Sequence, residues 1–160
     1  MNGIADFEDL LALFHEHRVR YLIVGGLAFI FHAKPRYTKD MDLWVENTDE
    51  NIARANLALA EYGSPTLLDL HAPKQVVQIG IEPNRIDILV DMEPLSFADA
   101  WEKRLESPYG GSPACWIDIE SLLRIKSAID HPRHQEDARV LRQVLDLRSK
   151  IGPEKSPPPG

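Results

Sequence analysis

The sequence predicts an α+β domain, with helices and short strands mixed along one chain. Three observations carry that expectation. Phe7, Leu10, Leu11 and Phe14 recur at helical spacing. Residues 37–46 alternate instead, with Met41, Leu43 and Val45 opposed to Asp40, Asp42 and Trp44, as a strand with one apolar face requires. Residues 75–81 and 85–90 are two strand-like runs joined by Glu82, Pro83 and Asn84, a turn-forming triplet.

The elements follow in order. Asp6, Glu8 and Asp9 lie near the start of the first amphipathic helix, where carboxylates favour the positive end of the dipole, and the helix is expected to end near His17. Residues 20–24 are apolar and β-branched, a short buried strand, and Gly25-Gly26 opens a second helix that reaches about His32 before Lys34-Pro35 breaks it. After the 37–46 strand, Thr48 is placed to cap a helix with Asp49 and Glu50 in its first turn, and Gly63 and Pro65 stop it after Tyr62. The hairpin comes next, then a helix over 97–105, the turn-rich stretch SPYGGSP, and a short apolar run at 115–117. Asp118 can cap a further helix through Ile129, and a last helix spans 133–148. One domain is therefore expected over 1–148, followed by a Pro-rich tail, 149–160, that is too polar to bury a core and reads as disordered.

Composition narrows the function. The chain has 160 residues, enough for one domain with a real core, and its 44% apolar and 27% charged residues are those of a globular protein. A net charge of −7 argues against broad DNA binding, which needs many cations to release phosphate counterions. A local basic rim nevertheless runs through Arg18, Arg20, Lys34, Arg36 and Lys39 with no acid between them; a solvated face is the alternative reading. The single Cys115 can form neither an intramolecular disulfide nor a zinc cluster, so a reducing, cytoplasmic setting is expected. The N-terminus has no positively charged leader region, and the longest apolar run, 21–33, is too short to span a bilayer, so no membrane partner is expected.

The chemistry starts from Asp40 and Asp42, which project from one face of a strand. Solvated acids are common in an acidic protein, but Asp87 stands between Ile86 and Ile88, where an unpaired charge costs several kcal/mol, as an order of magnitude. If the two strands are neighbours, three carboxylates converge, and hard oxygen ligands of that kind hold two Mg²⁺ ions. Asp91 can reach the same face, but at a strand end it is read as solvated. Upstream, Gly25-Gly26 lets backbone N–H groups approach a phosphate. A second anomaly is Lys126, which falls within the apolar stripe Ile119, Leu122, Leu123 and Ile129, and Asp137, which shares a face with Val140, Leu141 and Val144. Either the two close the helices as an ion pair, or Lys126 meets a triphosphate and Asp137 orients it. His131 and His134 have ligand-like spacing, yet Pro132 interrupts it; His15, His17, His32 and His71 are read as surface or capping residues, and the three tryptophans as core or core edge.

The ordered succession GG, PRYTKDMD, RIDILVD and LLRIKSAIDHPRHQEDARVLRQVLDL resembles the DNA polymerase β-type nucleotidyltransferase superfamily, most of all its small stand-alone members related to AbiEii-type toxins. The resemblance covers about residues 7–147. It implies a nucleotidyltransferase fold: a small mixed β-sheet packed by helices on one side, with C-terminal helices completing the nucleotide site. It further implies that Gly25 and Gly26 form the phosphate loop, that Arg36 and Thr38 lie beside the nucleotide, that Asp40, Asp42 and Asp87 are the catalytic, metal-binding carboxylates, and that Lys126, Arg133 and Asp137 form the C-terminal motif. The implied activity moves a nucleoside monophosphate from a nucleoside triphosphate such as ATP, with two Mg²⁺, to a protein or RNA hydroxyl, in the setting of a toxin–antitoxin pair. The alternatives are a weak or inactive nucleotide-binding module that engages a partner, and a structural antitoxin-like subunit. The antibiotic-modifying branch typically carries Gly-Ser and later Ser-Asp-x-Asp, whereas this chain has Gly-Gly and Lys39 at the corresponding place.

Overall fold

A parallel pairing between two acid-bearing strands sets the architecture. The computed structural model describes residues 3–70 and 72–151. Its elements are α1 (Gly3–Glu16), β1 (Tyr21–Val24), α2 (Gly25–His32), β2 (Asp40–Val45), α3 (Asp49–Tyr62), β3 (Val76–Ile79), β4 (Arg85–Leu89), α4 (Phe97–Glu102), β5 (Leu105–Glu106), β6 (Cys115–Trp116), α5 (Ile119–Ala128) and α6 (Pro132–Ile151). The strands form one mixed sheet in the order β3-β4-β2-β1-β6-β5. β2 runs antiparallel to β1 and parallel to β4, with Val24 opposite Asp42 and Asp42 opposite Asp87.

Strand alternation divides the interior in two. Ile23, Met41, Leu43, Val45, Ile86 and Ile88 point to one face and pack on α1 through Leu10 and Phe14 and on α3 through Ile52 and Leu59. Leu22, Val24 and Trp44 point to the other, against Phe29 of α2, Phe97 of α4, Leu122 and Ile125 of α5, and Leu141 of α6. The mixed sheet is as expected, while helices stand on both of its faces and not on one, because α2 and α4 join the C-terminal α5 and α6 in a second layer. Trp44 meets the ring of Phe97 edge-on at 5.2 Å, so it is a core residue.

Helix ends follow the local chemistry. Thr48 Oγ1 accepts from the Asn51 amide at 3.2 Å, and Gly63 closes α3 in a left-handed conformation at φ 92°. Asp118 Oδ2 caps α5 by accepting from Ser121 N. α4 stops at Glu102, three residues earlier than expected, because Leu105 pairs with Trp116 in the β5-β6 hairpin. At the other end α6 continues to Ile151, so residues 149–151 are helical; the rest of the tail, and His71, lie outside the described residues.

His32 corrects an expectation. It is buried, and its Nε2 lies 2.6 Å from the carbonyl of Ile117, because α2 packs its last turn against the second core. His15 is exposed, and His17 pairs with Glu61 at 2.8 Å. Among the described residues, no helix is long and apolar enough to cross a membrane.

Candidate metal and nucleotide site

The register of β2 on β4 gathers the three aspartates at one end of the sheet. One carboxylate oxygen from each of Asp40, Asp42 and Asp87 lies within 4.8 Å of the others, close enough for a shared cation. Oxygen ligands of this number and charge fit a hard divalent ion such as Mg²⁺. Asp42 shows the electrostatic cost of the arrangement. Burial, reinforced by the charges of Asp40 and Asp87, pushes its carboxyl from 3.8 up to about 7.

One cation already faces the cluster. Arg85 Nη2 donates to Asp40 Oδ2 at 2.7 Å and to Asp87 Oδ2 at 3.1 Å, while Nε donates to Asp87 Oδ1 at 3.0 Å. This residue was not anticipated from the sequence. The signal was present: Arg85 is two positions before Asp87, hence on the same face of β4, and its register partner is Asp40.

The diglycine abuts the acids. Gly25 has φ 68°, and a methyl group there would overlap the Asp42 carboxylate, so the carboxylate takes the space a side chain would fill. A methyl group at Gly26 would come within 2.8 Å of Thr38 Oγ1. Val24, the residue preceding α2, supplies no side-chain cap. The first amides of α2 therefore open beside Asp42 without a capping side chain, as a phosphate site requires.

A second cluster joins the α2-β2 connection to the C-terminal helices. Lys126 and Asp137 are both buried, with Nζ 2.9 Å from Oδ2, and Arg36 Nη1 donates to Asp137 Oδ1 at 2.6 Å. The lysine contact is an ion pair rather than an aligned hydrogen bond, since Oδ2 has no well-directed donor. Burial alone would raise the Asp137 carboxyl, but the hydrogen bond from Arg36 and the adjoining Lys126 cation outweigh it and hold it below its ordinary value. The Arg36 guanidinium also lies 4.2 Å above the ring of Phe29. His134 Nδ1 is 3.2 Å from Lys126 Nζ, and burial with the neighbouring lysine charge depresses its basicity.

Of the anticipated residues, Gly25, Gly26, Thr38, Asp40, Asp42 and Asp87 come together at the sheet end, and Arg36, Lys126 and Asp137 form the adjoining cluster. Arg133 does not join them. It is exposed in the first turn of α6, where its amide donates to His131 Nδ1, and its side chain has no hydrogen bond or ion pair among the described residues. The basic rim is likewise split, with Arg36 in the cluster and Lys39 paired with Glu82 at 3.5 Å.

No protein-family model matches the sequence, and no curated protein matches it. Solved structures do share the fold. The chain is similar to the lincosamide antibiotic adenylyltransferase LnuA bound to lincomycin, at 17% identity and a TM-score of 0.59, over 88% of this chain and 96% of that one. It is similar to ANT(2")-Ia in complex with adenylyl-2"-tobramycin, at 17% identity and a TM-score of 0.56, over 92% and 95% of the two chains. A candidate nucleotidyltransferase from Thermotoga maritima aligns at 15% identity and a TM-score of 0.57, over 89% and 91%. The architecture is thus that of the nucleotidyltransferases.

Proposed function

We propose that the chain is a metal-dependent nucleotidyltransferase that moves a nucleoside monophosphate from a nucleoside triphosphate to an acceptor hydroxyl. The observation that supports it most is the convergence of Asp40, Asp42 and Asp87 within 4.8 Å, beside the uncapped start of a helix. Two Mg²⁺ ions, held by the three aspartates, would supply charge neutralisation and a lowered hydroxyl pKa. The protein's own groups do the rest. The amides of Gly25 and Gly26 bind phosphate oxygens, and Thr38 faces the same space beside Gly26. Lys126 of α5 and Arg36 of the α2-β2 connection, both anchored on Asp137, bring positive charge to the triphosphate. Arg85 fixes the orientation of Asp87, which accepts the proton of the attacking hydroxyl. The new bond joins that oxygen to the α-phosphorus, the bond from the α-phosphorus to the pyrophosphate oxygen breaks, and pyrophosphate leaves. Positioning and electrostatics then carry most of the rate enhancement.

The acceptor of this reading is a protein or RNA hydroxyl, with a toxin–antitoxin pair as its setting and the cytoplasm as its place. A small-molecule hydroxyl is the second reading, favoured by the likeness to LnuA with lincomycin and to ANT(2")-Ia with adenylyl-2"-tobramycin. The decisive assay incubates the protein with Mg²⁺, triphosphates labelled at the α-phosphate, and protein, RNA and small-molecule acceptors. Label transfer by wild type, absent from Asp40→Ala/Asp42→Ala, is expected; equal background from both proteins with every acceptor sinks the enzymatic reading.

A further inference from the structure

At the end of β1 away from the triad lies a cavity of about 730 Å³, lined by Arg18, Arg20, Trp101, Arg104, Ser107 and Cys115 among others. Tyr21, the first residue of β1, borders it, whereas Val24, the last, sits opposite Asp42. The two places are therefore separated by the length of the strand, roughly 10 Å.

Three observations give this cavity a chemical character. Arg18 is the one described non-glycine residue with positive φ, at 58°. It ends α1 in a left-handed turn, with Arg18 N donating to His15 O at 3.1 Å and Val19 N to Phe14 O at 2.9 Å. Glycine adopts that conformation without the strain a β-carbon introduces, so an arginine here opposes local stability. Nor does its side chain compensate, because among the described residues it makes no hydrogen bond or ion pair. Backbone strain retained without a structural return points to a functional use of the side chain.

The second observation is a fixed guanidinium. Arg104 lies 3.9 Å from the Trp101 ring centroid, Nη1 donates to Trp101 O at 3.0 Å, and Nη2 pairs with Glu106 at 3.2 Å. Its Nε is buried with no acceptor. The third is the balance of charge. Arg20, 5.6 Å from the same ring, pairs with Glu46 at 3.6 Å, so among the described residues the three guanidinium groups have ion pairs with Glu46 and Glu106 alone, and the Glu8 carboxylate lies beside Gly110 and Gly111 of the lining. In a chain of net charge −7, that surplus stands against the average.

We propose that this cavity is a second ligand site, which takes a small oxyanion carrying phosphate or carboxylate groups. Arg18 supplies the unpaired charge, Arg104 a fork held in place by Trp101, and Ser107 a hydroxyl at the rim. The volume is that of a small-molecule site. The proposal is independent of the nucleotidyltransferase reading, since none of its residues belongs to the triad or to the Lys126 cluster.

The test is titration of the full chain with inorganic phosphate and with citrate, without divalent ions, followed by calorimetry and by tryptophan fluorescence, to which Trp101 contributes. Wild type is expected to bind at least one of them, and tighter binding of phosphate or of citrate identifies the preferred oxyanion. Arg18→Gly is expected to weaken binding by about tenfold or more, an ion pair's worth, while its melting temperature rises by about 2–4 °C. Arg18→Asn, which also tolerates the left-handed conformation, should weaken binding equally. Arg104→Lys keeps the charge but loses the fork, and should bind more weakly than wild type. No binding by wild type, equal binding by Arg18→Gly and wild type, or a lowered melting temperature for Arg18→Gly each overturns the proposal.

Discussion

The two charged clusters beside the α2-β2 connection solve opposite problems. In the C-terminal cluster, one buried carboxylate, Asp137, meets Lys126 and Arg36, and its charge is held by its partners. At the sheet end, three carboxylates meet one guanidinium, and Asp42 responds by taking up protons near neutrality. The first keeps a surplus of positive charge around one carboxylate, and its residues also hold a loop to two helices. The second is an anionic site that lacks countercharge, and a metal–triphosphate complex would complete it. The two clusters therefore differ in the sign of their surplus charge, one cationic and the other anionic.

Removing the acids should give the largest effect. Asp40→Ala/Asp42→Ala is expected to reduce nucleotidyl transfer by about 10³-fold or more, as loss of the main transition-state electrostatics implies. Its circular dichroism should remain that of wild type. Breaking the C-terminal cluster should cost stability: Asp137→Ala leaves Lys126 buried without its partner, and urea denaturation should show a loss of about 3–5 kcal/mol. A Lys126→Met/Asp137→Leu double variant should recover most of that loss while still binding triphosphate poorly.

The aspartate cluster should respond to pH in a defined direction. The carboxyl of Asp42 titrates near 7 in the folded protein against 3.8 as its ordinary value, so the folded state binds the extra proton. Its contribution to stability is full below about pH 4 and is lost as pH rises through about 7. Without divalent ions, the melting temperature should thus fall between pH 5 and pH 8. Asp42→Asn should remove that slope and raise the melting temperature at pH 8 by roughly 2–4 °C. The smallest effect is expected from Arg85→Gln. Its pairs are partly solvated, so the metal-free protein should lose little stability. Added Mg²⁺ should restore the difference, as calorimetric melting can show.

Much of this comparison was legible in the sequence because it rests on periodicity. Period two placed Asp40, Asp42 and Asp87 on strand faces, and period 3.6 placed Lys126 and Asp137 inward. Arg85 was missed because its place at the start of the 85–90 strand names no partner; the parallel register that brings it to Asp40 is a non-local fact. β5 and β6, at two residues each, are too short for any alternation to appear. Arg133 matched a motif by order along the chain, but an exposed first helical turn leaves it outside the cluster. The Arg18 cavity was hidden for a related reason: spacing revealed the basic run but not that α1 ends in a strained turn.

The alternation of β2 also bears on how the sheet assembles. Met41, Leu43 and Val45 fill one core while Asp40 and Asp42 look away from it. A slip of one residue against β1 or β4 would exchange those sets and drive two carboxylates into the α1-α3 interior. Unpaired acids in that apolar layer are prohibitive. The residues that would gather a nucleotide's metal thus also act as proofreaders of strand alignment, rejecting the misthreaded sheet before any substrate arrives.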